Sequence, residues 1–206
     1  VSRVSKTPNL LVVPVNSPYQ SVQDLVQTAK LKPGEIRFGS GGSGSSMHVI
    51  AEVFSQKAHV KFEHIPYRSS TQMVQELLAG QIDFTFQNIA VVLPFVKAGK
   101  LRAIAVTSEK RTPLLKDVPS VAESGFPDYR ASAWYGFVVP ANTPAPIIAT
   151  LQKQIAEIVL LPDVKATLDS FSFVPVASSP EAYGKQIKDD IAEWGKVMKD
   201  AGIQPE

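Results

Sequence analysis

The chain has 206 residues, of which 44% are hydrophobic and 19% charged, a composition typical of a globular protein with one or two domains. Its 21 Lys and Arg are scattered among 19 Asp and Glu, so the net charge is +2 and no basic stripe indicates a nucleic-acid partner. No window approaches the roughly 20 consecutive apolar residues of a membrane-spanning helix. The absence of cysteine excludes disulfides, thiolate nucleophiles and cysteine-based metal sites.

Apolar runs alternate with helical patterns over the first half of the chain. Strands are predicted over residues 9–15, 36–39, 60–65, 83–86 and 101–106, and helices over residues 21–30, 46–58, 71–79 and 91–98. Ser21 is the predicted cap of the first helix. This alternation predicts an α/β fold with a largely parallel sheet.

The periodicity fades over residues 107–133, which are rich in Pro, Ser and charge, and it recovers at residues 134–140, so we place a domain crossover here. The next helix is predicted to have Thr143 as its cap and Pro144 at its first position. Its buried face is predicted to consist of Ile147, Ile148, Leu151 and Ile155. A helix over 163–169, a strand over 173–177 and a last helix that ends at Gly202 complete the pattern.

The segment IRFGSGGSGSSMH, residues 36–48, joins a predicted strand to a predicted helix through a loop rich in Gly and Ser. Glycine leaves main-chain N–H groups accessible because it has no Cβ, and a helix amino end adds unpaired donors and partial positive charge. Further hydroxyl groups come from Ser40, Ser43, Ser45 and Ser46. The pattern predicts an anion-binding loop, although a flexible connection between a strand and a helix would have a similar composition.

The same loop offers an alternative, a nucleotide-dependent enzyme. Gly39, Gly41 and Gly44 satisfy G-x-G-x-x-G, and Glu63 lies in the next predicted strand, near where a dinucleotide-binding fold places its ribose-binding acid. Against this reading, Glu63 falls in the middle of the predicted strand, whereas the ribose ligand belongs at the carboxyl end. A Walker-type phosphate loop is disfavoured because the glycines are not followed by Lys and Ser or Thr.

Catalytic and metal-binding motifs are missing from the sequence. No serine has a glycine two residues before it and another two residues after it, as a nucleophile elbow (G-x-S-x-G) requires. The histidines do not form H-E-x-x-H. His48 and Glu52 have helical spacing, which alone is a weak indication of a metal site. His48 follows the loop by one helical turn, so it either donates to a ligand carboxylate or makes a structural hydrogen bond. We therefore assign no catalytic residue, no metal and no cofactor.

Polar residues follow two of the predicted strands at the point where each strand ends. Tyr67 and Arg68 come after the strand over 60–65, and Gln87 and Asn88 come after the strand over 83–86. In open α/β sheets the carboxyl ends of the strands form the ligand crevice, which favours these residues as ligand contacts. Ordinary loop polarity is the alternative interpretation.

Six segments, in this order along the chain, resemble the receptors of tripartite tricarboxylate transporters, also called Bug-type receptors. They are FGSGGSGSSMH (38–48), IPYRSS (65–70), LLAGQIDFTFQN (77–88), LPFVKAGKLRAIAVTSEKR (93–111), DVPSVAESGFP (117–127) and WYGFVVPANTP (134–144). The resemblance covers essentially the whole chain.

The resemblance implies a two-domain periplasmic-binding-protein fold, of the Venus flytrap type, that closes on a small carboxylate and presents it to the membrane components of the transporter. The ligand could be a dicarboxylate, a tricarboxylate, an amino acid or an aromatic acid. The residues that it implies as ligand contacts are Ser40, Gly41, Gly42, Ser43, Ser45, His48 and Tyr67. The family usually has Asp where this chain has Gln87, so a neutral amide that can donate replaces a carboxylate that cannot.

The resemblance also implies that residues 1–9 are a crossover, 10–131 a complete ligand-binding domain and 132–206 the carboxyl-terminal part of a second domain. The secretion signal and opening strand of the family have no counterpart at the start of this sequence, so we expect the second domain to be incomplete and to expose apolar surface. We expect another copy of the chain, or a separate piece, to cover that surface. The periplasmic location is likewise an expectation from the resemblance.

Overall fold

The computed structural model describes residues 1–129 and 131–203, and contacts divide the chain into two units. Unit 1 consists of Val1–Thr7 and Ser132–Gly195, and unit 2 of Pro8–Ala131 and Lys196–Glu206. The prediction began the ligand-binding domain at residue 10 and gave residues 196–206 to the second domain, whereas unit 2 begins at Pro8 and includes 196–206. Residues 2–9, predicted to be a crossover, lie in a strand that runs from unit 1 into unit 2. Both boundaries fall within continuous elements, where hydrophobic periodicity carries no sign of a change of unit.

Unit 2 alternates strands and helices as predicted. The elements are β1 (Ser2–Pro14), α1 (Val22–Leu31), β2 (Arg37–Ser40), α2 (Ser46–Ala58), β3 (Glu63–Pro66), α3 (Ser70–Leu78), β4 (Phe84–Asn88), α4 (Ile89–Lys97) and β5 (Leu101–Val106). Apart from the start of β1, which lies in unit 1, each bound is within a few residues of the prediction. The α/β fold is confirmed.

The sheet of unit 2 has the strand order β3-β2-β4-β1-β5. Strand β2 is parallel to β3 and β4, and β1 is antiparallel to β4 and β5, so four strands run in one direction and β1 runs against them. The sheet is therefore mixed and mostly parallel. Because β3, β2 and β4 are adjacent and parallel, their carboxyl ends meet at one edge.

Serine side chains fix where three helices of unit 2 begin. Ser21, Ser45 and Ser69 precede α1, α2 and α3, and each side chain accepts a hydrogen bond from the main-chain N–H three residues later. In α1 the side chain of Asp24 accepts in return from the N–H of Ser21, which completes a capping box. The predicted cap of α1 is confirmed.

Both faces of the unit 2 sheet are covered by apolar side chains. The face towards α3 and α4 buries a cluster that includes Leu10, Val12, Met73, Leu77, Ile82, Ile89 and Val92. An aromatic group of Phe38, Phe54, Phe84, Phe86 and Tyr129 is also fully buried, and its rings contact one another at centroid distances between 5.6 and 6.4 Å. Unit 2 thus has a core of its own.

Unit 1 contains β6 (Ser132–Phe137), α5 (Ala145–Val159), α6 (Pro162–Ser170), β7 (Val174–Pro175) and most of α7 (Pro180–Asp200), and both β6 and β7 pair with β1. Among the described residues of 132–195, only Val159 and Tyr183 are buried. None of the helices in the described part of the chain is both long and apolar enough to cross a membrane.

The start and the buried face of α5 differ from the prediction. Pro144 is the N-cap and no side chain caps the helix, because the Thr143 hydroxyl donates instead to the Pro140 carbonyl. Ile147, predicted to be buried, is 50% exposed. The other three residues of the predicted face, Ile148, Leu151 and Ile155, are half-buried. The apolar stripe exists as predicted, but the described part of unit 1 does not cover it.

Candidate functional site

The predicted site residues gather at the edge where β3, β2 and β4 end. The Gly/Ser loop, residues 41–45, joins β2 to α2, and Tyr67 follows β3. The Tyr67 N–H donates to the Ser40 carbonyl at 3.0 Å, which holds the ends of these two strands together. Gln87 and Asn88 are the last residues of β4, whose Thr85 pairs with Gly39 of β2. The parallel strands therefore bring together the segments that carry the predicted residues.

The Gly/Ser loop is folded by hydrogen bonds to its own neighbours. The Gly42 N–H donates to the Ser40 hydroxyl at 3.1 Å, and the Ser45 N–H donates to the Gly42 carbonyl at 3.2 Å. The Gly44 N–H donates to Nδ1 of His48 at 3.2 Å. Ser45 caps α2 through its hydroxyl. These three loop amides are consequently engaged within the protein.

Four other amides of the loop and helix start have no hydrogen-bond acceptor among the described residues. They belong to Gly41, Ser43, Ser46 and Met47. The last two are in the first turn of α2, where a helix leaves its N–H groups unpaired and carries partial positive charge. Ser43 and Ser46 are also exposed. The arrangement can donate several hydrogen bonds to one anion.

Ser40 differs from its predicted role. Its side chain is fully buried, and its hydroxyl contacts the Gly42 carbonyl at 3.0 Å and Nε2 of His64 at 2.6 Å. The hydroxyl is thus committed to holding the loop. The predicted ligand contact at Ser40 has no group left to offer outward in this structure.

His48 makes the structural hydrogen bond that was one of its two predicted roles. It is 4% exposed, and its Nδ1 atom accepts from Gly44, so the ring proton is on Nε2. That nitrogen lies 3.7 Å from Oε1 of Glu52. His48 and His64 stack with ring centroids 3.6 Å apart and an interplanar angle of 17°. Together with Ser43, Glu52 and Ala201–Ile203, the two rings line a cavity of about 470 Å³.

Two of the glycines in the G-x-G-x-x-G pattern are needed for structural reasons that do not involve a nucleotide. A Cβ on Gly39 would lie 2.4 Å from Cδ1 of Ile82, so close packing requires glycine there. Gly44 has a φ of 72°, which favours glycine. Glu63, the proposed ribose acid, is exposed and is the first residue of β3, at the opposite end from the loop. A dinucleotide site of the usual kind is not assembled.

Tyr67 and Asn88, at the same edge of the sheet, both make structural contacts. The Tyr67 ring packs against the apolar cluster beneath α3 and α4, and burial, with a smaller contribution from Glu76, raises the pKa of its hydroxyl. Asn88 caps α4, since its Oδ1 accepts from the Ala90 N–H at 2.9 Å. Both residues are therefore partly occupied with structural contacts.

Two buried amide nitrogens near this edge have no acceptor among the described residues. Gln87 is 3% exposed, and its Oε1 accepts from the Asn88 N–H at 2.7 Å, which leaves Nε2 unpaired. Asn9 of β1 pairs with Asn88 in register, is 2% exposed, and has an unpaired Nδ2. Unpaired buried donors are unusual in folded proteins.

Asn9 and His64 also lie at this edge of the sheet, although neither was predicted as a site residue from the sequence. Asn9 reaches this edge only because β1 runs antiparallel to β4. His64 faces Ser40 because β3 pairs with β2 in the register Phe38↔His64. Strand order and register would have been needed to find either residue.

The sequence model of the tripartite tricarboxylate transporter family receptor matches residues 1–203. The chain belongs to this family. Protein BugT of Bordetella pertussis is 31% identical over 207 residues, which cover 99% of this chain and 63% of BugT. Similarity to a Bug protein agrees with the resemblance seen in the sequence.

Two solved structures of similar proteins have the same fold. Rpa4515 of R. palustris, solved with adipate, is 32% identical, has a TM-score of 0.91, and is matched over 100% of this chain and 69% of that chain. The periplasmic binding protein BugD is 24% identical with a TM-score of 0.88, over 100% of this chain and 70% of BugD, and at this identity the likeness shows the fold alone. The periplasmic-binding-protein fold is confirmed. The chain spans about three fifths of the length of BugT.

Proposed function

We propose that this chain is the ligand-binding part of an extracytoplasmic solute receptor that binds a small carboxylate for a tripartite tricarboxylate transporter. Its membership of the receptor family supports the role, and the adipate in Rpa4515 supports a small carboxylate as the ligand class. The observation that supports this proposal most directly is that amides of the Gly/Ser loop and of the first turn of α2 have no hydrogen-bond partner among the described residues.

A carboxylate suits these donors because its two oxygens only accept hydrogen bonds. The N–H groups of Gly41, Ser43, Ser46 and Met47 are the proposed donors, together with the hydroxyl of Ser43. Hydrogen bonds to an ionised acceptor are roughly twice as strong as neutral ones. The internal hydrogen bonds of Gly42, Gly44 and Ser45 hold the loop in shape before a ligand arrives, so little ordering is needed on binding.

Tyr67, Gln87 and Asn88 remain proposed contacts for the rest of the ligand, because they lie at the same edge of the sheet. Gln87 would act as a donor through Nε2, since its Oε1 is held by Asn88. A donor there favours a ligand whose second polar group accepts hydrogen bonds, such as a second carboxylate. The nitrogen is buried in this structure, so its side chain must rotate to meet a ligand.

We propose further that the protein makes and breaks no bond. The alternative, a nucleotide-dependent enzyme, loses its support because Glu63 lies at the wrong end of β3 and Gly39 is explained by packing. Family membership argues in the same direction.

Calorimetric titration tests the carboxylate proposal. We expect adipate, or another member of a panel of dicarboxylates, tricarboxylates, amino acids and aromatic acids, to bind the chain, and NAD, NADP and ATP to give no heat. Gly42→Ala should weaken binding at least about tenfold, because Gly42 has a φ of 116°, which a side chain strains.

Gly34→Ala is the matched control for that variant. Gly34 also has a positive φ, 78°, and open space around its Cβ position, but it lies in the turn before β2, at the other end of that strand. Its affinity should equal that of the wild type. Binding of nucleotides alone, or equal affinities of the Gly42→Ala and wild-type chains, would refute the proposal.

The family role also leads us to propose a periplasmic location and delivery to the membrane components of the transporter. Fractionation of cells that express the complete reading frame tests the first point, with release by osmotic shock as the expected result. Co-purification with the transporter's membrane subunits tests the second. Retention of the protein in the cytoplasm would contradict both.

We propose that copies of this chain associate through the apolar residues of unit 1. The exposed large side chains there are Tyr135, Phe137, Val138, Ile147, Ile158, Leu160, Leu161, Phe171, Val174 and Ile191. So many exposed apolar residues favour association. Light scattering should give a mass above 22.3 kDa that rises with concentration, and a monodisperse monomer at all concentrations would contradict self-association.

A further inference from the structure

We propose that His48 and His64, as neutral rings, are positioning residues that lock the two ends of the Gly/Ser loop. The proposal rests on the proposed function, because it concerns the loop that offers its amides to a carboxylate. It assigns the two rings a task other than contact with the ligand.

The first half of the lock is the hydrogen bond from Gly44 to His48. The acceptor is the lone pair of Nδ1, at 3.2 Å from the Gly44 nitrogen. Gly44 is in the left-handed region with a φ of 72°, so this bond fixes the turn just before the start of α2. A proton on Nδ1 would place two N–H groups against each other and break the bond.

The second half runs from His64 through Ser40 to Gly42. All three contacts of the Ser40 hydroxyl are satisfied if Nε2 of His64 donates to it, it donates to the Gly42 carbonyl, and it accepts from the Gly42 N–H. Ser40 is fully buried, so water does not compete for these bonds. The chain of contacts fixes the other end of the loop.

The stacking of the two rings couples the halves. Their centroids are 3.6 Å apart, and the Phe38 ring lies 4.9 Å from His64 and 5.9 Å from His48. Two positive charges at such a separation repel strongly in partly buried surroundings. Burial, and then the neighbouring His48, lower the pKa of His64 to about 4.

Among the described residues, few charged groups surround the rings of His48 and His64. Glu52, on the same helix as His48, is the carboxylate that faces it, at 3.7 Å. From β2 the neighbours are Phe38 and Ser40, and from the end of the chain they are Ala201–Ile203, none of which titrates in this range. Nε2 of His48, which bears the ring proton, thus faces Glu52, and Nδ1 is left to accept from Gly44.

Nuclear magnetic resonance of the ¹⁵N-labelled full chain, without ligand, tests the lock. At pH 7.5 the ring nitrogens of His48 should show a bare Nδ1 and a protonated Nε2. At this pH the protection of the Gly44 amide, corrected for intrinsic exchange, should fall about tenfold when the His48 ring is removed. The Gly80 amide, which donates to the Leu77 carbonyl in another turn, is the internal control and should keep its protection.

Three variants separate positioning from general stability. His48→Leu should lower Gly44 protection about tenfold at pH 7.5, since no acceptor remains. His48→Asn should recover most of that loss, because its amide oxygen can accept from Gly44 in place of Nδ1. His59→Asn is the matched control, since His59 is exposed and its φ of 51° suits Asn, and it should behave as the wild type.

Failure of the lock and failure of the proposed function give different results. A protonated Nδ1 on His48 at pH 7.5, or Gly44 protection that is the same in His48→Leu as in the wild type at that pH, would overturn the lock whether or not a ligand binds. If the lock behaves as described and His48→Leu binds adipate about tenfold more weakly than the wild type and His48→Asn do, both proposals are supported. A working lock in a chain that binds no carboxylate would refute the proposed function alone.

Discussion

Unit 2 and unit 1 differ most in how far their apolar side chains are buried. In unit 2 both faces of the sheet are covered, and large residues such as Phe38, Phe54 and Leu77 are fully buried. In the described part of 132–195 only Val159 and Tyr183 are buried, although α5 carries a clear apolar stripe. A similar density of apolar residues thus produces a closed core in one region and an open surface in the other.

The difference teaches that a correct amphipathic pattern does not ensure burial. Helix stability in proteins comes mainly from packing of the apolar face, and α5 has that face without a full partner in the described unit. The loop that we assign to carboxylate binding belongs to the unit with the core, whose strands hold both of its ends. The following predictions test this contrast.

The largest effect should come from removing a buried aromatic ring of unit 2. Phe54→Ala should lower the free energy of unfolding by about 3–5 kcal/mol, because Phe54 is fully buried against other aromatic rings. Phe171→Ala in unit 1, where the ring is 49% exposed, should cost less than about 1 kcal/mol. Urea denaturation followed by circular dichroism measures both, and equal losses would remove the contrast.

A smaller effect should follow from adding a methyl group to a glycine. Gly39→Ala should destabilise unit 2 by about 1–3 kcal/mol, since its Cβ would lie 2.4 Å from Ile82 and 2.8 Å from Met73, both buried. Gly184→Ala in α7 has open space and should stabilise by about 0.5–1 kcal/mol through helix propensity. Thermal unfolding of the two variants should shift in opposite directions, and a stabilised Gly39→Ala would contradict the packing.

Helix capping gives a smaller difference still. Ser21→Ala removes the side-chain acceptor of a capping box and should cost about 1 kcal/mol. Thr143→Ala should cost less than about 0.5 kcal/mol, because Thr143 precedes the N-cap Pro144 and caps nothing. If the thermal midpoint falls equally in both variants, Thr143 is a cap after all.

Any effect of histidine protonation should belong to unit 2, since all three histidines lie there. The folded pKa of His64 is about 4 against an ordinary value of 6.5, so between these values the unfolded chain binds a proton that the folded chain does not. The free energy of unfolding should therefore fall as the pH is lowered from about 6.5 towards 4, by less than the full pKa difference implies, because solvent reaches part of the ring. His64→Gln should remove this part of the pH dependence of the urea midpoint, and an unchanged profile would contradict it.

Much of the fold could be predicted from local signals. Periodicity gave the helices and strands of unit 2, and Ser21 marked its helix start, because these features depend on neighbours within a few residues. The reversed direction of β1 could not be predicted, since it depends on which strands pair. For the same reason, the apolar stripe of α5 could be placed but its exposure could not.

The candidate site, too, could be predicted from the sequence only in part. The position of the Gly/Ser loop between β2 and α2 followed from the order of residue types. The burial of Ser40, and the roles of Asn9 and His64, depend on sheet register and on contacts far apart in the chain. Sequence therefore indicates where the anion-binding loop lies, and the structure distinguishes the groups that hold the loop from those left for a ligand.

The most direct test of the carboxylate proposal is a titration of the ¹⁵N-labelled chain with adipate, observed at the backbone amides. The account predicts the largest downfield proton shifts at the amides that have no partner, those of Gly41, Ser43, Ser46 and Met47. The amides of Gly42, Gly44 and Ser45, already bonded within the protein, should move less. Saturable binding that shifts amides elsewhere in the chain and leaves these four unchanged would contradict it.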